Sequence, residues 1–373
     1  MADLLMPSDV RSDPAQGGGP APLPEPPSAK LVVRLFLIPL LIVAAAIGVM
    51  LLIRGCTPSD MSLSDALREL RRSGGERTGP FIGPAAKQRY LAASVLIKRL
   101  REGLDEAERI RLSGEIIDIL DNHTRADEGA VQHLLLLALG RVWQIDAGQG
   151  KLDSPDALKS RVAVMDALLK YMDDARPTDT QKAAILALTF WDGRPEPRRA
   201  IGVVLEKMSA KYRARDAGGR PAGEDRERDI DVRIAAAATL GHIATPDDAP
   251  VVEALRRAVG ITEVGEIEVA FQAAASLARF NDPVATGMML RLLDRKELDQ
   301  IEIVDREADP KNPVRRKLDE REKERFLVNA MEAAARLVAP EVQQRIRDLA
   351  KDDPSSRVRE AAAATLGKVN AHP

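Results

Sequence analysis

One short apolar pattern recurs six times along this chain, always with the spacing of one face of an α-helix. From a starting residue, apolar or small side chains follow at i+3, i+4, i+7, i+8 and i+11, with a single polar exception, and so form one stripe along a helix. The six starting residues are Val131, Thr180, Val232, Val269, Leu327 and Val358. A repeated helix of this kind can bury its stripe only against neighbouring copies, so the pattern predicts a stacked helical array.

A second apolar stripe follows each copy except the last, after a turn. The turn Pro246-Asp247-Asp248, for example, precedes a stripe that contains Val252, Leu255 and Val259, and another stripe contains Val284, Met288 and Leu292. The repeating unit is therefore predicted to be a helical hairpin. Glycines near the ends of first helices are predicted to stop them in a left-handed conformation, and these are Gly140, Gly241 and Gly367. Aromatic residues make up only 3% of the chain, which also favours an all-α fold over a β-sandwich.

The segment that begins with Asp231-Val232-Arg233 carries a family resemblance. It continues with four alanines, Leu240-Gly241 and Pro246-Asp247, and in this it resembles the HEAT-repeat family, notably its short bacterial form. The segment from Val358 to Gly367 is similar. The resemblance implies an all-α, armadillo-like solenoid over roughly Ala85 to Val369, which ends on a half-repeat. It also implies that Asp231, Arg233 and Arg359 belong to a polar ladder that bridges successive hairpins.

The copies are unevenly spaced, which predicts two insertions, chiefly residues 209–228 and 294–325. The second insertion is dense in charges of both signs, which favours a solvated loop with an exposed helical extension. A segment that docks on a partner is the alternative interpretation.

An uncharged run of nineteen residues, Leu35 to Ile53, lies between Arg34 and Arg54. At about 1.5 Å per residue it is long enough to span a hydrocarbon core of roughly 30 Å, so it predicts a single transmembrane helix. The alternative is a cleaved signal peptide. Cys56 follows directly, either as an unmodified thiol or as a site of lipidation, and it is the only cysteine.

The chain is thus divided into a Pro/Gly-rich, disordered arm at 1–30, a transmembrane segment at 31–54, a juxtamembrane helix and linker at 55–84, and the repeat domain at 85–373. The expected localisation is a membrane, with one pass. Basic residues flank the apolar run on both sides, so the side of the membrane that holds the repeat domain stays open.

Residues that carry catalysis are sparse in this sequence. The histidines are His123, His133, His242 and His372, and none adjoins a glutamate or pairs at i, i+4 with another. Some HEAT-like proteins are di-iron hydroxylases that use His-Glu dipeptides, and that interpretation is disfavoured here. There is no Gly-rich phosphate loop and no G-x-S-x-G elbow. We therefore expect no enzyme activity, no cofactor and no metal, and interpret His133, His242, Trp143 and Trp191 as packing residues.

Acidic and basic residues nearly cancel, at 57 and 55, which disfavours nucleic acid as a partner. The leading interpretation is a membrane-anchored scaffold or adaptor that binds another protein and no small-molecule substrate. The candidate partner contacts lie on or just after second helices and are Arg256, Arg257, Arg291 and Arg295. The alternative is an accessory protein resembling the HEAT-like bilin lyases, which acts on a chromophore-bearing partner. A HEAT-like DNA glycosylase is disfavoured by the charge balance and the few aromatics.

Overall fold

The computed structural model describes residues 61–72, 84–100, 104–125, 128–144, 154–191, 194–215, 221–264, 266–305 and 314–371. All of them belong to one compact unit, Ser59–Pro373. The predicted arm at 1–30, the predicted transmembrane run Leu35 to Ile53 and Cys56 lie outside the described residues. Within those ranges, none of the helices has the length and apolar character needed to cross a bilayer.

The described chain is α-helical, as the sequence predicted. Its helices are α1 Leu63–Arg71, α2 Pro84–Arg99, α3 Glu106–Asp118, α4 Gly129–Val142, α5 Pro155–Tyr171, α6 Thr178–Ala187, α7 Ile201–Lys207, α8 Ile230–Ile243, α9 Ala249–Val259, α10 Ile267–Arg279, α11 Ala285–Leu292, α12 Arg295–Leu298, α13 Glu320–Ala334, α14 Pro340–Asp352 and α15 Ser356–Ala371. A π-helical turn, Ile119–His123, extends α3, and 3₁₀ turns lie at Leu188–Trp191 and Glu196–Ala200.

The helices form two layers. In the first layer α2, α4, α6, α8, α10, α13 and α15 each pack against the next, and α1 packs on α2. In the second layer lie α3, α5, α7, α9, α11 and α14, which join successive first helices and pack against them. We call the two sets first helices and second helices.

The recurring stripe lies where these layers meet. Nearly every described side chain in the six copies is buried or half-buried. The prediction is wrong at one position, because Val338, the last residue of the copy that starts at Leu327, is 82% exposed. The helix α13 ends at Ala334, so Val338 lies in the following loop and the helical spacing no longer applies to it.

The residue that follows the start of the stripe has a recurrent structural role. In several first helices it is a buried or half-buried Gln or Arg whose side chain donates to a backbone carbonyl that precedes the same helix. The bonds run from Gln132 Nε2 to Arg125 O (2.9 Å), from Gln181 Nε2 to Arg176 O (2.8 Å), from Arg233 Nε to Met208 O (3.3 Å) and from Arg359 Nη1 to Asp353 O (2.6 Å). Carbonyls at the end of a helix or in a turn lack backbone partners, so these donors satisfy groups that burial would otherwise penalise.

Residues of the proposed polar ladder do reach neighbouring hairpins. The carboxylate of Asp231 on α8 accepts from Lys182 Nζ on α6 at 2.9 Å. Arg233 Nη1 lies 2.6 Å from Glu266 Oε1, just before α10. Arg359 differs, because its contacts at Asp353 and Pro354 lie just before its own helix.

The three glycines predicted to end helices do not do so. Gly140, Gly241 and Gly367 lie inside α4, α8 and α15, and none has a left-handed backbone. A methyl group at Gly140 would overlap the carbonyl of Ala187 on α6, and one at Gly241 would come within 2.8 Å of Ser276 Cα on α10. These two glycines therefore let first helices approach closely, whereas the space around Gly367 is open.

Each insertion contains an antiparallel β-hairpin, whereas the sequence predicted a loop with a helical extension for the second insertion and no particular structure for the first. The first pairs β1 Lys211–Arg215 with β2 Pro221–Glu227, and the second pairs β3 Glu302–Asp305 with β4 Val314–Lys317. Opposite charges face each other in the register, for example Glu302 and Lys317. Ile303 is buried, so the second hairpin packs on the helices. The predicted helical extension is present as the first turns of α13, which starts with a capping box formed by Asp319 and Glu322.

Candidate protein-binding groove

A groove of about 410 Å³ opens between the second helices α7 and α9. Its apolar lining comes from Leu205, Met208, Pro250, Ala254, Ala258, Ile261 and Val269, and its polar lining from Ser209, Arg233, Glu253 and Arg257. Its volume falls in the range of about 300–1,000 Å³ that is usual for ligand pockets. An apolar floor with polar groups around it is the composition that protein interfaces use at their centres.

The sequence of α9 explains why the groove has a charged rim. The helix turns Val251, Val252 and Leu255 toward the core. Residues 253 and 257 consequently lie on the solvent side, one turn apart. The side chains of Glu253 and Arg257 are 69% and 74% exposed and lie 3.9 Å apart.

An exposed pair with this spacing contributes only about 0.3–0.5 kcal/mol to stability. Both charges of the rim can therefore re-pair with a bound molecule at little cost to the fold.

The wall of the groove at Arg233 is fixed more firmly than the rim. Arg233 is 5% exposed, and its guanidinium is held by Glu266 Oε1 at 2.6 Å and Met208 O at 3.3 Å. A charge-assisted pair at this depth is short and directional, so the Arg233 side chain is an immobile part of the wall.

Only one of the four predicted contact arginines, Arg257, lines this groove. Arg256 is bound at 2.8–2.9 Å to the buried carboxylate of Asp282, which follows α10. Arg291 lies 3.7 Å from Glu297 on α12. These pairings were invisible in the sequence because neither partner follows from the spacing of the repeat.

Arg295 is engaged in ion pairs with two carboxylates of the same chain. Two of its nitrogens bind both oxygens of Asp353 at 2.7 and 2.8 Å, and a third lies 3.1 Å from Glu320. Asp353 is only 1% exposed at its side chain. The hydrogen bonds that Arg295 donates to Asp353 raise the pKa of Arg295 above its usual value. Arg295 therefore ties the second insertion to the last hairpin.

The histidines and tryptophans interpreted as packing residues have well-defined neighbours. His133 is half-buried between α4 and α6, and desolvation lowers its pKa despite a hydrogen bond with the backbone of Asp179. Trp143 Nε1 donates to Ser113 Oγ at 2.9 Å, and Trp191 Nε1 donates to Gly140 O at 2.8 Å. Across the described ranges, no set of three or more His, Cys, Asp and Glu side chains is arranged to hold a metal ion.

The fold and the groove define an α-helical repeat protein of two stacked layers. No family model matches the sequence, and no curated protein matches it. A search of solved structures aligns 84% of the chain with 99% of human deoxyhypusine hydroxylase in complex with glycerol, at 14% identity and a TM-score of 0.29.

That solved structure is of an enzyme, and it contradicts the prediction that this chain is not one. We therefore withdraw the prediction that this chain has no enzyme activity. At a TM-score of 0.29 the likeness assigns no reaction to this chain.

Proposed function

We propose that this chain is a membrane-anchored scaffold whose helical repeats bind a segment of another protein in the groove between α7 and α9. The observation that carries the proposal is the combination of an apolar floor with an exposed, weakly paired rim. A partner that inserts apolar side chains gains the free energy of their burial, and its own charges can replace the pairing of Glu253 with Arg257.

The repeat architecture supports a binding role for a second reason. Each hairpin contacts mainly its neighbours, so the surface grows with the number of repeats and offers an extended face to a polypeptide. The pairing of Arg233 with Glu266 keeps one polar wall of that face rigid, so a partner meets a pre-formed surface there.

The anchor completes the proposal. The uncharged run Leu35 to Ile53 would hold the repeats at a bilayer and so raise the local concentration of any partner in the same membrane. Cleavage by added protease in intact cells, compared with permeabilised cells, assigns the side of the membrane. Release of the repeats from membranes by high salt alone would contradict the anchor.

Photo-crosslinking tests the groove directly. A benzoylphenylalanine placed at Arg257 in the full-length chain, expressed in its native cells, should give a discrete adduct. The matched control is the same label at Arg347, an exposed cation on the second helix α14 that lines no part of the groove. Substitution Ala254→Leu narrows the groove and should abolish the adduct at 257. Identical adducts from both positions, or an adduct that survives the narrowing, would refute the proposal.

A further inference from the structure

The groove between α7 and α9 follows one whole face of α9. The residues of α9 and its C-terminal turn that line it are spaced at i, i+3, i+4, i+7, i+8 and i+11, and they are Pro250, Glu253, Ala254, Arg257, Ala258 and Ile261. At about 1.5 Å per residue, the distance along the helix from the first of them to the last is about 16 Å. The groove therefore runs beside about three turns of helix.

Neighbouring second helices pack against each other elsewhere in the layer. The helix α3 packs on α5, α9 packs on α11, and α11 packs on α14. Among the described residues no comparable packing joins α7 to α9, and the groove lies there instead. Arg233 and Val269, near the starts of the first helices α8 and α10, are reached through this gap. The second layer is thus open along one side of α9.

The backbone of a bound segment decides which conformation fits the gap. The walls are helices, whose backbone groups are bonded internally, so they offer no strand edge to pair with. Polar side chains are few among the described lining residues, and one of them, Arg233, is already held by Glu266. An extended segment pressed into this groove would leave buried N–H and C=O groups without partners, whereas an α-helix satisfies its own.

The volume of the groove limits how much of a helix can enter it. A helix about 10 Å across and about 16 Å long occupies roughly 1,300 Å³, which is about three times the 410 Å³ of the groove. Only one face of the helix can therefore lie inside, and the opposite face stays in water. A helix with one apolar and one polar face suits both environments.

The charged rim adds a second requirement. The side chains of Glu253 and Arg257 lie one turn apart on α9 and are 69% and 74% exposed, with 3.9 Å between them. A helix that lies along α9 brings its own residues at i and i+4 beside this pair, because both helices have the same period. A basic residue opposite Glu253 and an acidic residue opposite Arg257 would restore partners to both charges as water is excluded.

We propose that the segment bound in the groove is an amphipathic α-helix of about three turns. Its apolar face enters the groove, where the small side chains of Ala254 and Ala258 leave room for large aliphatic anchors. Its basic and acidic residues, four positions apart, pair with Glu253 and Arg257. The inference rests on the proposed function, whose partner it narrows to one class.

Two photo-crosslinking positions measure the conformation of the bound segment. Benzoylphenylalanine is placed at Pro250, which is exposed, or at Ile261, which is half-buried, in the full-length chain in its native cells. Mass spectrometry of the adducts then locates the attached residues of the partner. A helix along α9 should be attached at residues about eleven apart, since it also rises about 1.5 Å per residue. An extended segment would cover the same ~16 Å with about five residues.

Exchanging the rim charges tests the pairing. The double variant Glu253→Arg, Arg257→Glu keeps the composition and spacing of the rim, but each charge then meets its like on the partner. We expect the yield of the adduct at Ile261 to fall about fivefold or more. The matched control is the exchange Arg111→Glu, Glu115→Arg on α3, an i, i+4 pair that lines no part of the groove and should leave the yield unchanged.

The outcomes separate this inference from the proposed function. Attachment points fewer than eight residues apart, adducts at one end of the groove only, or a yield that the rim exchange leaves unchanged would overturn the amphipathic helix. In each case an adduct at Arg257 would still support a bound protein segment. Absence of adducts at all three positions would overturn the proposed function and the helix with it.

Discussion

Replacing Gly140 with alanine should open the contact between α4 and α6. An added Cβ would overlap the carbonyl oxygen of Ala187 and lie 2.8 Å from its Cβ and 2.9 Å from its carbonyl carbon. These are backbone and Cβ atoms, which no side-chain rotation can move away. Carbon atoms normally approach to about 3.5–4.0 Å, so α6 would have to shift by roughly 1 Å.

Three contributions set the size of the effect. Overpacking of this kind costs about 1–3 kcal/mol. The shift also strains the hydrogen bond from Trp191 Nε1 to Gly140 O, which is 2.8 Å long and contributes about 1 kcal/mol. Alanine regains about 1 kcal/mol through its higher helix propensity. We therefore expect a net loss of about 1–3 kcal/mol of unfolding free energy for this part of the stack.

Tryptophan fluorescence during urea unfolding measures this loss locally. The chain has two tryptophans, and both Trp143 and Trp191 are buried beside α4. A local probe matters because stacked repeats need not unfold in one step. With a slope of about 1–3 kcal/mol per molar urea, the midpoint should fall by roughly 1 M.

The control is Gly114→Ala in the adjacent helix α3. It makes the same chemical change beside Ser113, the partner of Trp143, but a methyl group there meets nothing within 4 Å. We expect this variant to unfold at the same or a higher urea concentration, because alanine adds up to about 1 kcal/mol of helix stability. Equal midpoints for both variants, or a stabilised Gly140→Ala, would refute the argument that Gly140 exists for close helix approach.

Three further predictions concern side chains that join distant parts of the stack. Thr239→Val removes a buried hydrogen bond of 3.2 Å to a carbonyl on α6 and should cost about 1 kcal/mol in a thermal melt. Arg295→Met leaves the buried carboxylate of Asp353 without its partner, and should lower the free energy of unfolding by about 3 kcal/mol while groove crosslinking persists. Hydrogen bonds from Arg316 lower the pKa of Glu322, so its contribution is complete above the unfolded pKa of about 4.3 and is lost as pH falls through the folded pKa. The dependence of melting temperature on pH should flatten below pH 5 in Glu322→Gln, and an unchanged acid limb would contradict this.

The repeat could be predicted from the sequence because its apolar spacing is a local pattern. A helix repeats its contacts every three or four residues, so the stripe that starts at Val232 could be read without knowing what it packs against, and all six of its residues are buried. The stripe failed at Val338 because helix length is set by the loop that follows, which carries no periodic signal.

The β-hairpins were missed for a related reason. Their strands are rich in charge and lack the apolar alternation that marks a half-buried strand. Glu302 and Lys317, which are fifteen residues apart, pair because of the register between their two strands, and the composition of either strand does not contain that register.

The candidate sites depended even more on tertiary structure. The spacing of the second helices picked out Arg256, Arg257, Arg291 and Arg295 as equivalent, yet their partners separate them. Arg257 stays exposed at a groove, whereas Arg295 is bound to a carboxylate 58 residues further along the chain.

The sequence by itself determined that this chain stacks helical hairpins, because the apolar period and the small residues of the first helices act within one or two turns. Only the tertiary structure decided which glycines are close contacts, which arginines are engaged in ion pairs, and where the groove opens. Those properties depend on distances between residues far apart in the sequence, and the local period carries no information about them.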